Sequence, residues 1–262
     1  MEITVASGTI TAMGVALGVC FGLPFVFIIA NRHKMMLMPL ICGLAAWCAF
    51  SYFGAGMLTR SVFTSDTVGG AIMTAVTQSV IIVLGHFLIL KFISNSKKEP
   101  GAVLSYGLGY TLIELVLIHG MQLFSKIALA TAVNNNGFEK VATTVEDSDA
   151  LYELVNSIAL TPVYEHLLGA AEIVFVFLLT LSVCVFVWYG IIRSKPALIL
   201  AAAAAQLMCM CAVIVLPLYS VTAAETVYGV LSVAFAVFAF CLYRKVEGGP
   251  QYSADPVNRF SL

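Results

Sequence analysis

Charge is what this sequence has least of. Only 10% of its 262 residues are Asp, Glu, Lys or Arg, where soluble domains carry about 25%. With 61% of the chain hydrophobic and a mean hydropathy of +0.99, a soluble globular domain is excluded, because no such core hides so many apolar runs. A disulfide framework is missing as well. The cysteines Cys20, Cys42, Cys48, Cys184, Cys209, Cys211 and Cys241 all fall within apolar runs, where cysteine packs as a small hydrophobe. Cys209 and Cys211 stand two apart on a presumed helix and point in different directions, which argues against a metal or redox pair. The opening Met1-Glu-Ile-Thr-Val-Ala-Ser7 lacks a basic n-region, and the first apolar run, Gly8 to Ala30, exceeds a signal-peptide core. The first span is therefore expected to be retained. The net charge of −1 says nothing of partners, since in a membrane protein the placement of charge matters. The expected partners are the lipid bilayer and a membrane-protein substrate or subunit, not nucleic acid.

What is present is a series of seven apolar runs, each near the ~20 residues a helix needs to cross a bilayer. They read as spans over Gly8–Ala30, Met35–Leu58, Gly69–Ile93, Ala102–Phe124 with an extension through Lys126-Ile-Ala-Leu-Ala130, Pro162–Ile191, Ala197–Pro217 and Thr226–Tyr243. The expected fold is all-α and integral to the membrane. It is a bundle of seven transmembrane helices in a single polytopic domain over 1–262, with an outer loop at 133–160 and a cytoplasmic tail at 244–262. That loop holds Glu146, Asp147, Asp149 and Glu153. Its second half, Ala150–Leu160, has apolar residues at helical spacing and reads either as a helix along the membrane surface or as a solvated loop helix.

Charge placement orients the bundle. With the N-terminus outside and the C-terminus cytoplasmic, Arg32, Lys34, Lys91, Lys97, Lys98, Arg193, Lys195, Arg244, Lys245 and Arg259 lie inside, against Arg60, Lys126 and Lys140 outside. This is the positive-inside asymmetry, and adding or deleting one span would scramble it.

Carboxylates within such spans need an explanation, because an acidic side chain at the centre of a membrane helix costs about 2.5–3.5 kcal/mol on translocon scales. At 1.5 Å per residue, Glu114 in the fourth span, Glu172 in the fifth and Gln206 in the sixth all fall roughly 10 residues deep, near the midplane of a ~30 Å core. Three polar groups at one depth on successive helices suggest a common interior site. A second layer toward the outside holds Glu165, His166, His119 and Gln122. Glu165 and Glu172 are seven apart and share a helix face. Bland readings stand beside these: Gln206 and Gln78 as interhelical hydrogen-bonding glue, His86 as a satisfied interior histidine, Glu165 as a solvated end residue. Ser105, Gly107, Gly109 and Gly120 leave the fourth span lightly clothed, so a neighbouring helix is expected to approach closely there.

Tyr106-Gly-Leu-Gly109-Tyr-Thr-Leu-Ile-Glu114, Glu165-His-Leu-Leu-Gly169 and the Leu/Ala-rich sixth span resemble the YhfC family of bacterial membrane proteins, intramembrane metallopeptidases related to the type II CAAX prenyl proteases and PrsW. Pro24 in the first span, the basic turn after it and the Gly-rich second span are similar too. The resemblance implies a bacterial cytoplasmic membrane location and a zinc hydrolase, in which histidine and carboxylate ligands leave a position open for water and a glutamate acts as general base. The family's first motif reads like Gly-x-Gly-His-Gly-x-x-Glu, its second like Glu-Arg with a histidine some eight residues on, its third like a sixth-span histidine. Gly107, Gly109, Glu114 and Glu165 match. Tyr110 stands at the first histidine, His166 at the arginine, Ile173 at the second histidine, and Gln206 near the third.

The expectation is therefore a family member with a degenerate, non-zinc centre that acts in binding or assembly within the membrane. No cofactor is expected. Glu114, Glu165 and Glu172 are the candidate catalytic residues, and Tyr110, His119, His166 and Gln206 the candidate pocket lining. One alternative is an active peptidase with an altered centre built from Glu114, Glu165, Glu172 and His119, the case in which zinc would be needed. A second is a transporter component in which Glu114 and Glu172 carry protons or bind a hard cation.

Overall fold

The computed structural model describes residues 4–59, 67–96, 99–143, 145 and 147–247. The 60–66 link, Lys97, Lys98, Glu146 and the tail from 248, which carries Arg259, lie outside the described residues. The described chain is helical, with no strand among these residues. Its elements are α1 (Ser7–Asn31), α2 (Leu37–Ala46) continued by a π-helical segment (Trp47–Met57), α3 (Val68–Ser96), α4 (Pro100–Ile113), a second π-helical segment (Glu114–Gly120), α5 (Met121–Asn136), α6 (Phe138–Ala142), α7 (Ser148–Leu160), α8 (Val163–Ile192), α9 (Pro196–Ile214), a 3₁₀ turn (Leu216–Leu218) and α10 (Val221–Glu247).

Among the described residues, seven stretches are long and apolar enough to cross a membrane: Ser7–Asn31, Leu37–Met57, Val68–Ser94, Pro100–Asn136, Val163–Ile192, Pro196–Leu218 and Val221–Val246. The chain is thus a multi-pass membrane protein. Prolines fix several starts, since a ring with preset φ and no N–H suits a first helical turn: Pro100 opens α4 and Pro196 opens α9. Two spans differ from the sequence reading. The fourth continues through Lys126 to Asn136, and the seventh begins at Val221 rather than Thr226, because Glu225 sits within helix rather than in a link.

The residues group into two compact units, one running to Ala30 and including Ile113–Val174, the other comprising Asn31–Leu112 and the chain from Phe175. In the first, Val5, Met13, Ala130, Val133, Val155 and Ile158 form a buried cluster, with Ile10, Leu123, Ile127, Leu151 and Ala159 packed against it. The helix in the acidic loop is therefore neither merely solvated nor simply laid on a lipid surface. Leu151, Val155 and Ile158 of α7 dock on α1 and α5, while Asp149 and Glu153 stay exposed. The Asp147 side chain caps α7, accepting from the backbone N–H groups of Asp149 at 3.1 Å and Ala150 at 2.9 Å, which stabilises a helix start by about 1 kcal/mol. The Asn134 amide grips the chain before α1 from both sides: its Nδ2 donates to the Val5 carbonyl and its Oδ1 accepts from the Val5 N–H, each at 2.8 Å. Gly137, at φ 79°, supplies the left-handed turn between α5 and α6.

In the second unit, α2 and α4 cross backbone to backbone. A Cβ on Gly43 would fall on the Tyr106 carbonyl oxygen, one on Gly109 on that of Leu40, and one on Gly101 on that of Lys34. Gly101, Ser105 and Gly109 are spaced by four, the small-residue stripe that lets membrane helices approach. Ser105 adds a polar stitch, its Oγ accepting from the Met36 N–H at 2.8 Å and donating to the Gly101 carbonyl at 2.8 Å. The close approach expected from the light side of the fourth span is made here. Elsewhere in the unit, α3 packs on the first π-helical segment and on α9, and α9 packs on α10. Gln78 acts as the expected interhelical glue, its Nε2 donating to Thr59 Oγ1 at 3.3 Å.

Candidate functional site

The polar side chains that the second unit brings together centre on His86, 1% exposed in α3. The Tyr106 hydroxyl of α4 lies 2.9 Å from His86 Nδ1, and Cys184 Sγ of α8 lies 3.8 Å from the same nitrogen. One helical turn along α4, Tyr110 tilts its ring over the imidazole with centroids 4.5 Å apart. Its hydroxyl hydrogen-bonds with Ser51 Oγ in the first π-helical segment. Four spans thus contribute to one buried cluster. Gly107 is what lets α8 reach it, since a Cβ there would come 2.7 Å from Leu181 Cδ2 and 3.6 Å from Cys184 Sγ. The two glycines of the Gly107-Leu-Gly109 motif therefore serve opposite walls, Gly107 facing α8 and Gly109 facing α2.

The interior-histidine reading of His86 agrees with this arrangement, but sequence reasoning treated Tyr110 only as pocket lining and missed Ser51, Tyr106 and Cys184. One signal was available: Tyr106 and Tyr110 are four apart in a helix with few other polar side chains, and so are neighbours on one face.

The carboxylates lie in the first unit. Glu114 opens the second π-helical segment and is half-buried; π-helical insertions in α-helices are frequent at functional sites. That segment is held by α1, where Cys20 Sγ donates to the Leu115 carbonyl at 2.8 Å, and Gly120 leaves room for Cys20 and Phe21. His119 is half-buried in the same segment. In α8, Glu172 is half-buried about two helical turns beyond Glu165, which is exposed and accepts a 3.2 Å hydrogen bond from the Tyr164 hydroxyl. His166 is half-buried, and its Nε2 is buried without a hydrogen-bond partner. Gln206 belongs to the second unit, buried in α9.

The donor set decides whether a zinc ion fits. A hydrolytic zinc needs about three protein ligands at close to 2 Å each. Among the described residues, no three His, Cys, Asp or Glu side chains gather closely enough to hold a metal ion. The aromatic at the expected first-ligand position, Tyr110, is already engaged with Ser51 and His86. Among the described residues, the side chains present do not supply the ligand set of a family-type zinc centre.

The sequence profile of the family described as YhfC intramembrane metalloprotease matches residues 19–231. The chain is also 26% identical over 116 residues to the uncharacterized membrane protein YhfC of Bacillus subtilis (strain 168), a match covering 44% of this chain and 45% of that protein. The match thus spans less than half the length of this curated relative. No solved structure matches the chain.

Proposed function

The chain belongs to the YhfC intramembrane metalloprotease family, and from that premise we propose that it is a member whose zinc centre is degenerate and that acts by binding or assembly within the membrane. The observation that carries this reading is the use made of Tyr110. At the position where the family pattern places a histidine, this chain has a phenol that is 3% exposed and committed to Ser51 and His86. A neutral, hydrogen-bonded phenol is a poor zinc ligand, and the shared contacts of Ser51, His86 and Tyr110 turn the motif into a helix-packing device. Elemental analysis of protein purified without chelator tests this. Zinc is expected far below one ion per chain, and Tyr110→His is expected not to raise it, since a single histidine leaves the ligand set short. Retention of about one zinc per chain through dialysis would sink the proposal and favour the peptidase built on Glu114, Glu165, Glu172 and His119.

A second reading rests on the placement of Glu114 at the first residue of a π-helical segment. In it, Glu114 and Glu172 exchange protons or bind a hard cation within the membrane. Reconstituted protein would then show proton or cation flux that Glu114→Gln and Glu172→Gln each reduce at least tenfold. Equal flux in wild type and both variants would remove this reading.

A further inference from the structure

The ends of several spans in the second unit share an arrangement that the proposed function does not use. Lys91 Nζ lies 5.5 Å from the centroid of the Phe87 ring, the Arg193 guanidinium 5.9 Å from Tyr189, and the Arg244 guanidinium 5.8 Å from Phe240. In each pair the ring precedes the cation by four residues, so the aliphatic stem folds back along its own helix over an aromatic face. Lys34, in the turn between α1 and α2, instead reaches another span, with Nζ 5.8 Å from the Tyr243 ring of α10. Arg32, Lys195 and Lys245 are exposed at the same helix ends.

With each span crossing once, the C-terminal ends of α1, α3, α8 and α10 emerge on one membrane face. Seven exposed cations then share that face: Arg32, Lys34, Lys91, Arg193, Lys195, Arg244 and Lys245. Two acids lie in the chain at the same ends, Glu99 just before α4 and Glu247 as the last residue of α10. An aromatic ring beneath a cation is the pairing suited to the interface, where the ring sits at headgroup depth and the cation meets the phosphates.

We propose that this face selects anionic phospholipids, whose phosphodiester and net negative headgroup lie against Lys91, Arg193 and Arg244 while the acyl chains run beside the underlying rings. Charge complementarity identifies the occupant. A zwitterionic lipid brings its own ammonium group and forfeits the net attraction, whereas each Lys or Arg beside an anionic surface strengthens attachment roughly fivefold.

The full chain in a neutral detergent, titrated with phosphatidylglycerol, phosphatidylcholine or inorganic phosphate while thermal unfolding is followed, tests the proposal. Phosphatidylglycerol is expected to raise Tm saturably, with little effect of the other two. The K91Q/R193Q/R244Q variant is expected to bind it at least tenfold more weakly, while K126Q, in the first unit, binds it normally. All three replaced side chains are exposed, and R193Q alone, expected to weaken binding severalfold, serves if the triple variant does not fold. Equal stabilisation by phosphatidylcholine would overturn the proposal, as would unchanged binding by the variants. Stabilisation by phosphate alone would overturn it in favour of a small-anion site.

Discussion

Gly109→Ala is expected to remove most of the folded protein from detergent extracts, whereas Gly169→Ala leaves it intact. A Cβ at 109 would occupy the space of the Leu40 carbonyl oxygen, and its neighbours there are backbone atoms of α2 rather than the flexible end of a side chain. Relief therefore requires the two helices to separate. That would break the Met36–Ser105 hydrogen bond and loosen the matching contact of Gly43 with the Tyr106 carbonyl. Overpacking a core usually costs about 1–3 kcal/mol; with no side chain able to yield, at least the upper end of that range is expected here. It would consume a large share of a total stability of about 5–15 kcal/mol. Gly169, in the second stretch that resembles the family pattern, has nothing within 4 Å of its Cβ position, so alanine there trades glycine's poor helix propensity for a gain of up to about 1 kcal/mol. Unfolding in graded dodecyl sulfate, compared for both variants and wild type, measures the difference. A Gly109→Ala protein that unfolds with wild type would mean that α2 and α4 do not cross at this point.

The contrast between those glycines marks what could be read from the chain alone. All seven spans were legible because each is a long apolar run and a bilayer fixes the length required; the first runs Ser7–Asn31 against an expected Gly8–Ala30. The added length of the fourth span was half legible, through the apolar residues after Lys126. What it packs against was not, since the Val5–Asn134 clamp joins residues 129 apart. The π-helical segments could not be read from hydropathy: Trp47–Met57 and Glu114–Gly120 both lie within long apolar spans, and a changed hydrogen-bond register has no composition of its own. Ser105, Gly107, Gly109 and Gly120 show that the fourth span is lightly clothed, but not which of these small residues a neighbour uses. The spacing that α2 uses is Gly101, Ser105 and Gly109, and only the position of α2 selects it. The carboxylates Glu114 and Glu172 are conspicuous in the sequence because charge is scarce. The better-defined polar assembly is built from Ser51, His86, Tyr106, Tyr110 and Cys184, most of which carry little hydropathy signal and whose hydrogen-bonded partners stand up to 98 residues apart.

His86→Ala is the substitution expected to cost most within that assembly. The imidazole meets Tyr106, Tyr110 and Cys184, and the chain has packed fully around it. Truncation opens a cavity beneath the Tyr110 ring and deprives the Tyr106 hydroxyl, on a side chain with no exposed surface, of its 2.9 Å partner. A buried polar group left unsatisfied costs about 1–3 kcal/mol, and the cavity adds roughly 24 cal/mol for each Å³ that the surroundings do not reclaim. A loss of about 3 kcal/mol or more is therefore expected in the same unfolding assay. The polar part can be separated from the packing part. Tyr106→Phe removes the stranded hydroxyl, so His86→Ala/Tyr106→Phe should be less unstable than the sum of the single changes by about 1 kcal/mol or more, as is usual for partners in one network. Strict additivity would show that the His86–Tyr106 hydrogen bond contributes nothing and that His86 acts only by volume. Full stability of His86→Ala would go further and remove the cluster as the point at which four spans are joined. Tyr110 would then lose its structural commitment, and with it the obstacle to a metal ligand at that position.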